Sequence, residues 1–289
     1  MPSKRIEYID AAKAIAIILM IVGHSYWKGA IPHFNGFIYS FHMPLFFIVS
    51  GMFWKESRLR TALPKYAKAY LWPYAILCLF ILSADIIGCS QNDGNIQETL
   101  LSGVIKVIWA SNCQKDVLFG DFPCIGAAWF LFALFWARSI LTCISRFYTN
   151  RGGAEKALAV FMTASFALAS IRYVEFPFSI QAGMLAMMFV YIGTLVKKYQ
   201  LINVLFTISP TTKVLVCCFW LIVSACTGGV DIGSSSIGFS ILGLLNSLFG
   251  FFITIGICIR FKLRFEWIGR NTIYILAGHI LVYQYLSAL

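Results

Sequence analysis

Residues 9–27 read IDAAKAIAIILMIVGHSYW, an apolar run that carries Asp10, Lys13 and His24. About 20 helical residues cross the hydrocarbon of a bilayer. No small-residue cleavage site follows the run, so it reads as a membrane span and not as a cleaved signal. Working outward, eight further apolar segments appear, at roughly 35–54, 69–89, 122–144, 157–171, 179–196, 214–229, 237–259 and 271–289. Helices are the expected form, because lipid leaves the backbone of a single segment no other hydrogen-bond partner. The alternating pattern of a barrel strand is absent. The expected fold class is therefore all-α: a polytopic membrane bundle of about nine transmembrane helices, forming one membrane-embedded domain over 1–289.

Composition agrees. Of 289 residues, 60% are hydrophobic and 12% charged, with a mean hydropathy of +0.79. A soluble domain is nearer half apolar and a quarter charged. This excludes an ordinary cytosolic enzyme, a secreted disulfide scaffold and a disordered chain. The net charge of +11 does not indicate nucleic acid, because no basic stripe is interleaved with exposed aromatics. Nine cysteines are scattered through apolar runs with no CxxC pair. No Cys/His spacing suits zinc, so no metal site is expected.

The basic residues divide unevenly. With the N-terminus placed in the cytoplasm, 17 of the 23 Lys and Arg fall on the inner side and 4 on the outer, with Lys13 and Arg138 inside spans. That is a strong positive-inside bias, and the cations also meet anionic lipid. The longest outer connection, 90–121, places Ile96, Leu100, Leu101, Val104, Ile105 and Ile108 at helical spacing. It is expected to form a helix lying on the outer membrane face, with a lid or a plain connector as the alternatives. Cys113 and Cys124 flank the end of this connection. An oxidising periplasm would permit a bond between them, unless Cys124 already belongs to the fourth span.

Ionisable groups inside spans are costly and mark functional candidates. On a helix advancing about 100° per residue, Asp10, Lys13 and His24 share one stripe. Asp10 and His24 stand roughly 21 Å apart along the axis and form no dyad unless the helix breaks. In the second span, Pro44 removes a backbone donor close to His42. The next connection holds Lys55, Arg58, Arg60, Lys65 and Lys68. Five cations suit the phosphates of an anionic cofactor, and lipid headgroups explain them equally well.

These residues carry a resemblance. Arg5-Ile-Glu-Tyr-Ile-Asp10-Ala-Ala-Lys13 with Gly23-His24, then Phe41-His42-Met43-Pro44-Leu45-Phe46-Phe47 with Ser50-Gly51, resemble the opening of the acyltransferase family 3 membrane proteins. Ala128-Trp129-Phe130-Leu131, Phe189-Val-Tyr-Ile-Gly193 and Ile268-Gly269-Arg270-Asn271-Thr272 leading to His279 also fit. The nearest likeness is to sugar O-acetylases, including fucose 4-O-acetylase-like members. The resemblance implies transfer of an acetyl group from acetyl-CoA to a sugar hydroxyl of an envelope polysaccharide or lipid-linked glycan, in a bacterial inner membrane. It implies commonly ten spans. The family's essential histidine maps onto His24. Its basic inner loop maps onto Lys55 to Lys68, where Lys55-x-x-Arg58-x-Arg60 stands in place of Arg-x-x-Arg.

The chemistry distributes the candidates. O-acylation needs a base for the acceptor hydroxyl, a seat for the thioester and a donor for the oxyanion. His24 and Asp10 are the catalytic candidates. Lys13, Lys55, Arg58 and Arg60 are candidates for acyl-CoA. His42, Trp129, Asn271 and His279 are candidates for the carbohydrate acceptor, and Arg138 and Asn246 are further polar groups. Ser25 diverges from His24 by about 100° and makes no dyad with it. Direct attack and an acyl-histidine intermediate both remain open. With an inner phosphate site and an outer His24, the pantetheine arm is expected to thread past Ile17 along the first helix. Two rival classes are an exporter of a glycan precursor, which needs inverted repeats with broken helices, and a haem protein ligated by His24, His42 and His279.

Topology reporters check the charge argument. Fusions within 55–68 should report the cytoplasm and a fusion at Leu289 the outside; a cytoplasmic signal at Leu289 would require an even number of crossings.

Overall fold

A computed structural model describes the chain except for residues 1–5, 25–33, 113–115, 118–119, 122, 148–150, 170–175, 228–231, 234–239 and 289. The helices in chain order are α1 (Glu7–His24), α2 (Phe34–Met52), α3 (Leu59–Tyr66), α4 (Trp72–Gln91), α5 (Ile96–Trp109), α6 (Trp129–Phe147), α7 (Arg151–Ala169), α8 (Ile180–Lys198), α9 (Val204–Thr207), α10 (Pro210–Thr227), α11 (Ser240–Arg260), α12 (Glu266–Arg270) and α13 (Thr272–Ala288). A π-helical turn, Ala67–Leu71, joins α3 to α4 without a break. Asp116–Val117 and Gly120–Asp121 (β1 and β2) form a short antiparallel ladder.

The fold is that of a helical membrane protein. The described part of each of the nine expected segments lies largely on a helix. Among the described residues, four helical stretches are long and apolar enough to cross a membrane: Leu59–Gln91, Gly126–Phe147, Pro177–Lys198 and Leu242–Arg260. Leu201–Thr207 and Pro210–Cys226, bent by 119°, make a fifth if read as one span. Length and apolarity thus support four or five crossings, not nine. Two further apolar helices, Gly36–Met52 and Thr272–Leu286, are shorter than 18 residues among the described residues. α1 holds Glu7, Asp10 and Lys13, and α7 holds Arg151, Glu155 and Lys156, so both carry more charge than a free-standing span tolerates. α13 is 17 residues long.

The chain forms two compact units. The first comprises 1–54, 189–232 and 237–275 and gathers α1, α2, α10, α11 and α12 with the second half of α8. Glycines set its close approaches. A Cβ at Gly51 of α2 would collide with the Val190 carbonyl of α8, and one at Gly193 would collide with the Ile48 carbonyl of α2. Such mutual small-residue contact is how membrane helices gain dispersion energy without a hydrophobic drive. Gly250 of α11 likewise admits Phe41 of α2. The Phe41 ring lies edge-on to Trp220 of α10, with centroids 5.4 Å apart.

The second unit comprises 55–188, 233–236 and 276–289. Its axis is the unbroken helix Leu59–Gln91, about 50 Å long at 1.5 Å per residue. α6 runs antiparallel beside it: Tyr66 bonds Thr142 at 3.3 Å, Arg138 donates to Tyr70 at 3.3 Å, and the Tyr74 and Phe132 rings meet at 4.5 Å. Ser83 of α4 bonds Tyr285 of α13 at 2.6 Å.

α5 folds back along α4 as a hairpin. Gly94 sits against Cys89 at the tip, Gly103 against Leu82, Lys106 pairs with Asp85 at 2.6 Å, and Tyr74 donates to the Val107 carbonyl at 2.7 Å. A helix lying across the end of α4 could not touch both Cys89 and Tyr74, which are about 22 Å apart along the axis. Its apolar side chains Leu100, Leu101 and Val104 point outward. The sequence shows the stripe but not that Asp85 holds the opposite face. Cys113 lies outside the described residues; Cys124 bonds through its Sγ to the Asn112 carbonyl.

The glycine contacts predict signs. Gly51→Ala and Gly193→Ala should each destabilise the detergent-solubilised protein by about 1–3 kcal/mol through overpacking. Gly278→Ala, where nothing lies within 4 Å of the added carbon, should be neutral or stabilising by up to about 1 kcal/mol. Thermal melts of the three variants check it.

Candidate active site

α1 begins with acids in its first turn, Glu7 and Asp10, which complement the positive end of the helix dipole. Asp10 is buried and pairs with Lys13 one turn on, at 2.8 Å. α12 closes on this end of the helix: a Cβ at Gly269 would collide with the Asp10 backbone. Arg264 reaches Glu7 at 3.5 Å, but both side chains are exposed and the pair contributes little. Asn271 donates from its Nδ2 to the Trp267 carbonyl at 2.8 Å, capping its own helix. The Ile268–Thr272 motif therefore secures the acidic end of α1 through Gly269, a role its residue types do not announce.

His24 is the last described residue of α1. The helix is continuous from Asp10 to His24, so the two stand about 21 Å apart and Asp10 does not touch His24. The stripe between them is closed: Ile17 and Met20 are each 3% exposed, packed by the neighbours of α1. Among the described residues, no open groove runs past Ile17 and Met20 for a pantetheine arm.

The structure joins His24 to another histidine. Its ring meets the Tyr39 ring of α2 edge-on, with centroids 6.1 Å apart, and Tyr39 meets His42 edge-on at 5.1 Å. Gly23 lets α1 approach, with Ile38 and Tyr39 side chains at 3.5–3.6 Å from where its Cβ would be. His42 is 1% exposed, and its Nδ1 lies 2.8 Å from the Ile38 carbonyl one turn back. A carbonyl only accepts, so Nδ1 carries the proton and, in the neutral ring, Nε2 carries the lone pair. Sequence reading singled out both histidines but missed Tyr39, which touches both. The i, i+3 spacing of Tyr39 and His42 was the available signal.

The opposite face of α2 carries a buried polar cluster. Ser40 donates to the Phe37 carbonyl at 2.7 Å, Ser247 of α11 donates to the Ser40 carbonyl at 2.7 Å, and Ser224 of α10 bonds Asn246 at 3.2 Å. All four side chains are at most 1% exposed. Only Asn246 stood out in the sequence, because a serine in an apolar run is unremarkable until its partner is known.

The second unit holds the other candidates. Lys55, Arg58, Arg60, Lys65 and Lys68 are all exposed, on the segment leading into and through α3. Arg58 is extended at the N-cap of α3, where its carbonyl accepts from Thr61. These cations can meet an anion from solvent. Trp129 is 4% exposed, edge-on to Phe130; it is packed, not presented. His279 is half-buried on α13. Arg138 lies over the Tyr66 ring at 4.9 Å and bonds Tyr70. Asp85, Glu98, Thr99, Ser102 and Lys106 line an open cleft between α4 and α5, which sequence reading missed. Among the described residues no group of three or more His, Cys, Asp or Glu is placed to hold a metal.

Comparison with known proteins gives the class. No curated protein and no solved structure matches the chain. The family 3 model described as "Acyltransferase domain" matches residues 6–289. That match includes the helices that carry His24, Tyr39 and His42, the exposed basic segment and the Gly269 closure. The chain belongs to acyltransferase family 3 and is a helical membrane acyltransferase.

Proposed function

We propose that the protein moves an acetyl group from acetyl-CoA to a sugar hydroxyl of an envelope polysaccharide or lipid-linked glycan, in a bacterial inner membrane. The observation that carries this reading is the pair of histidines bracketing Tyr39 in a chain of this family. His24, half-buried on α1, is the general base. It takes the proton of the acceptor hydroxyl as that oxygen attacks the thioester carbonyl. Collapse of the tetrahedral intermediate breaks the C–S bond and releases coenzyme A as its thiolate, which takes up a proton. His42, buried and held by the Ile38 carbonyl, orients the Tyr39 ring that His24 meets. Lys55, Arg58 and Arg60 hold the phosphates of the donor as point and forked charges. Asp10 acts at a distance, as the partner of Lys13.

Nine crossings with a cytoplasmic N-terminus belong to this reading. The 17-to-4 split of the cations supports it. Family membership supports α1 and α7 as spans despite their charges. The export reading has one feature in its favour, the bent pair Leu201–Thr207 and Pro210–Cys226. Transporters repeat such breaks in both halves, and the described residues contain one such bent pair.

Two measurements test the reading. His24→Ala should lower acetyl transfer by about 10²–10⁴-fold while the protein stays inserted. Mass spectrometry of envelope glycans from cells carrying either form reads the loss, and retained acetylation would reject His24 as the base. Replacing Arg58 and Arg60 with Ala should raise KM for acetyl-CoA about ten-fold with kcat nearly unchanged. An unaltered dependence on acetyl-CoA would leave these residues as topology signals.

A further inference from the structure

Pro44 sits inside α2, and its ring nitrogen has no proton. In an α-helix the N–H of residue 44 would serve the carbonyl of residue 40. The Ser40 carbonyl has therefore lost its ladder donor in a residue that is 0% exposed, where a backbone carbonyl needs a partner within the protein. The Ser247 hydroxyl of α11 stands 2.7 Å from that carbonyl. The same hydroxyl lies 2.9 Å from the Gly243 carbonyl of its own helix. One proton cannot fully serve both. Gly243 already receives the Ser247 N–H in the helix ladder, whereas the Ser40 carbonyl has lost its backbone donor. Gly250, one turn along α11, admits Phe41 and keeps the two helices close enough for the contact.

The clamped turn is the one that carries the histidine geometry. Tyr39 adjoins Ser40, and His42 bonds the Ile38 carbonyl in the same turn. We infer that Ser247 is a positioning residue: its hydroxyl replaces the missing Pro44 N–H, and this substitution fixes the turn of α2 that aims His42 and Tyr39. Without it, the helix must bend or tighten to find the Ser40 carbonyl another donor, and the His42 ring moves with it.

The experiment is a double-mutant cycle between Ser247→Ala and Pro44→Ala, read in two ways. Its kinetic arm rests on the acyl-transfer reading; its melting arm does not. Ser247→Ala should lower the melting temperature of the purified protein by several degrees. In the Pro44→Ala background, where residue 44 again has an N–H for Ser40, the same change should cost little. Ser224→Ala, which removes a hydroxyl of the same cluster but not the Ser40 clamp, should add to Pro44→Ala independently. Transfer from radiolabelled acetyl-CoA to envelope glycan in proteoliposomes should show kcat reduced about 10- to 100-fold in Ser247→Ala, with KM for acetyl-CoA unchanged. Additive melting losses would overturn the clamp. A melting loss with kcat intact would overturn the positioning role. Full transfer by His24→Ala would instead reject the base assignment and leave the melting result standing.

Discussion

The structure depends on one constraint: a backbone N–H or C=O shut away from water must find its partner within the protein. Helices meet that demand along their length, and the exceptions are met individually. Pro44 frees the Ser40 carbonyl and Ser247 covers it. The Val107 carbonyl near the end of α5 accepts from the Tyr74 hydroxyl. The Ala110 carbonyl, at a left-handed residue that ends α5, accepts from the Ser179 hydroxyl. Each repair comes from a hydroxyl on another helix, so each also fixes how two helices sit together.

Close packing then decides where those hydroxyls can be. Gly51 against Gly193 brings α2 onto α8, and Gly250 brings α11 onto Phe41 of α2. Between lipid-like surfaces there is little hydrophobic gain in association, so close approach and hydrogen bonds supply it. Gly269 does the same for α12 on the backbone of Asp10. Ions obey a parallel rule. Asp10 with Lys13, Asp85 with Lys106, and Arg138 over Tyr66 each place a charge beside a compensating group. The two central histidines are held differently, by the Tyr39 ring and, for His42, by a neutral carbonyl.

Much of this was legible in the residues. Apolar runs of span length located the helices, since each run must satisfy its own backbone in lipid. The mapping of Gly23-His24 and His42-Met-Pro44 onto a family pattern gave the class of chemistry. The stripe of Asp10, Lys13 and His24 was visible from helical period alone, as was the impossibility of an Asp10–His24 dyad across an unbroken helix.

What the sequence by itself determined were properties set by one segment at a time: helix, span, periodicity and charge. The tertiary structure decided what depends on two segments meeting. It turned α5 against α4 because Asp85 and Lys106 find each other there. It placed Tyr39 between two histidines from different helices, closed the face at Ile17, and supplied Ser247 to a carbonyl that Pro44 had orphaned. No periodicity encodes these pairings, because the partner of a buried polar atom is chosen by packing across the chain and not by its neighbours in sequence.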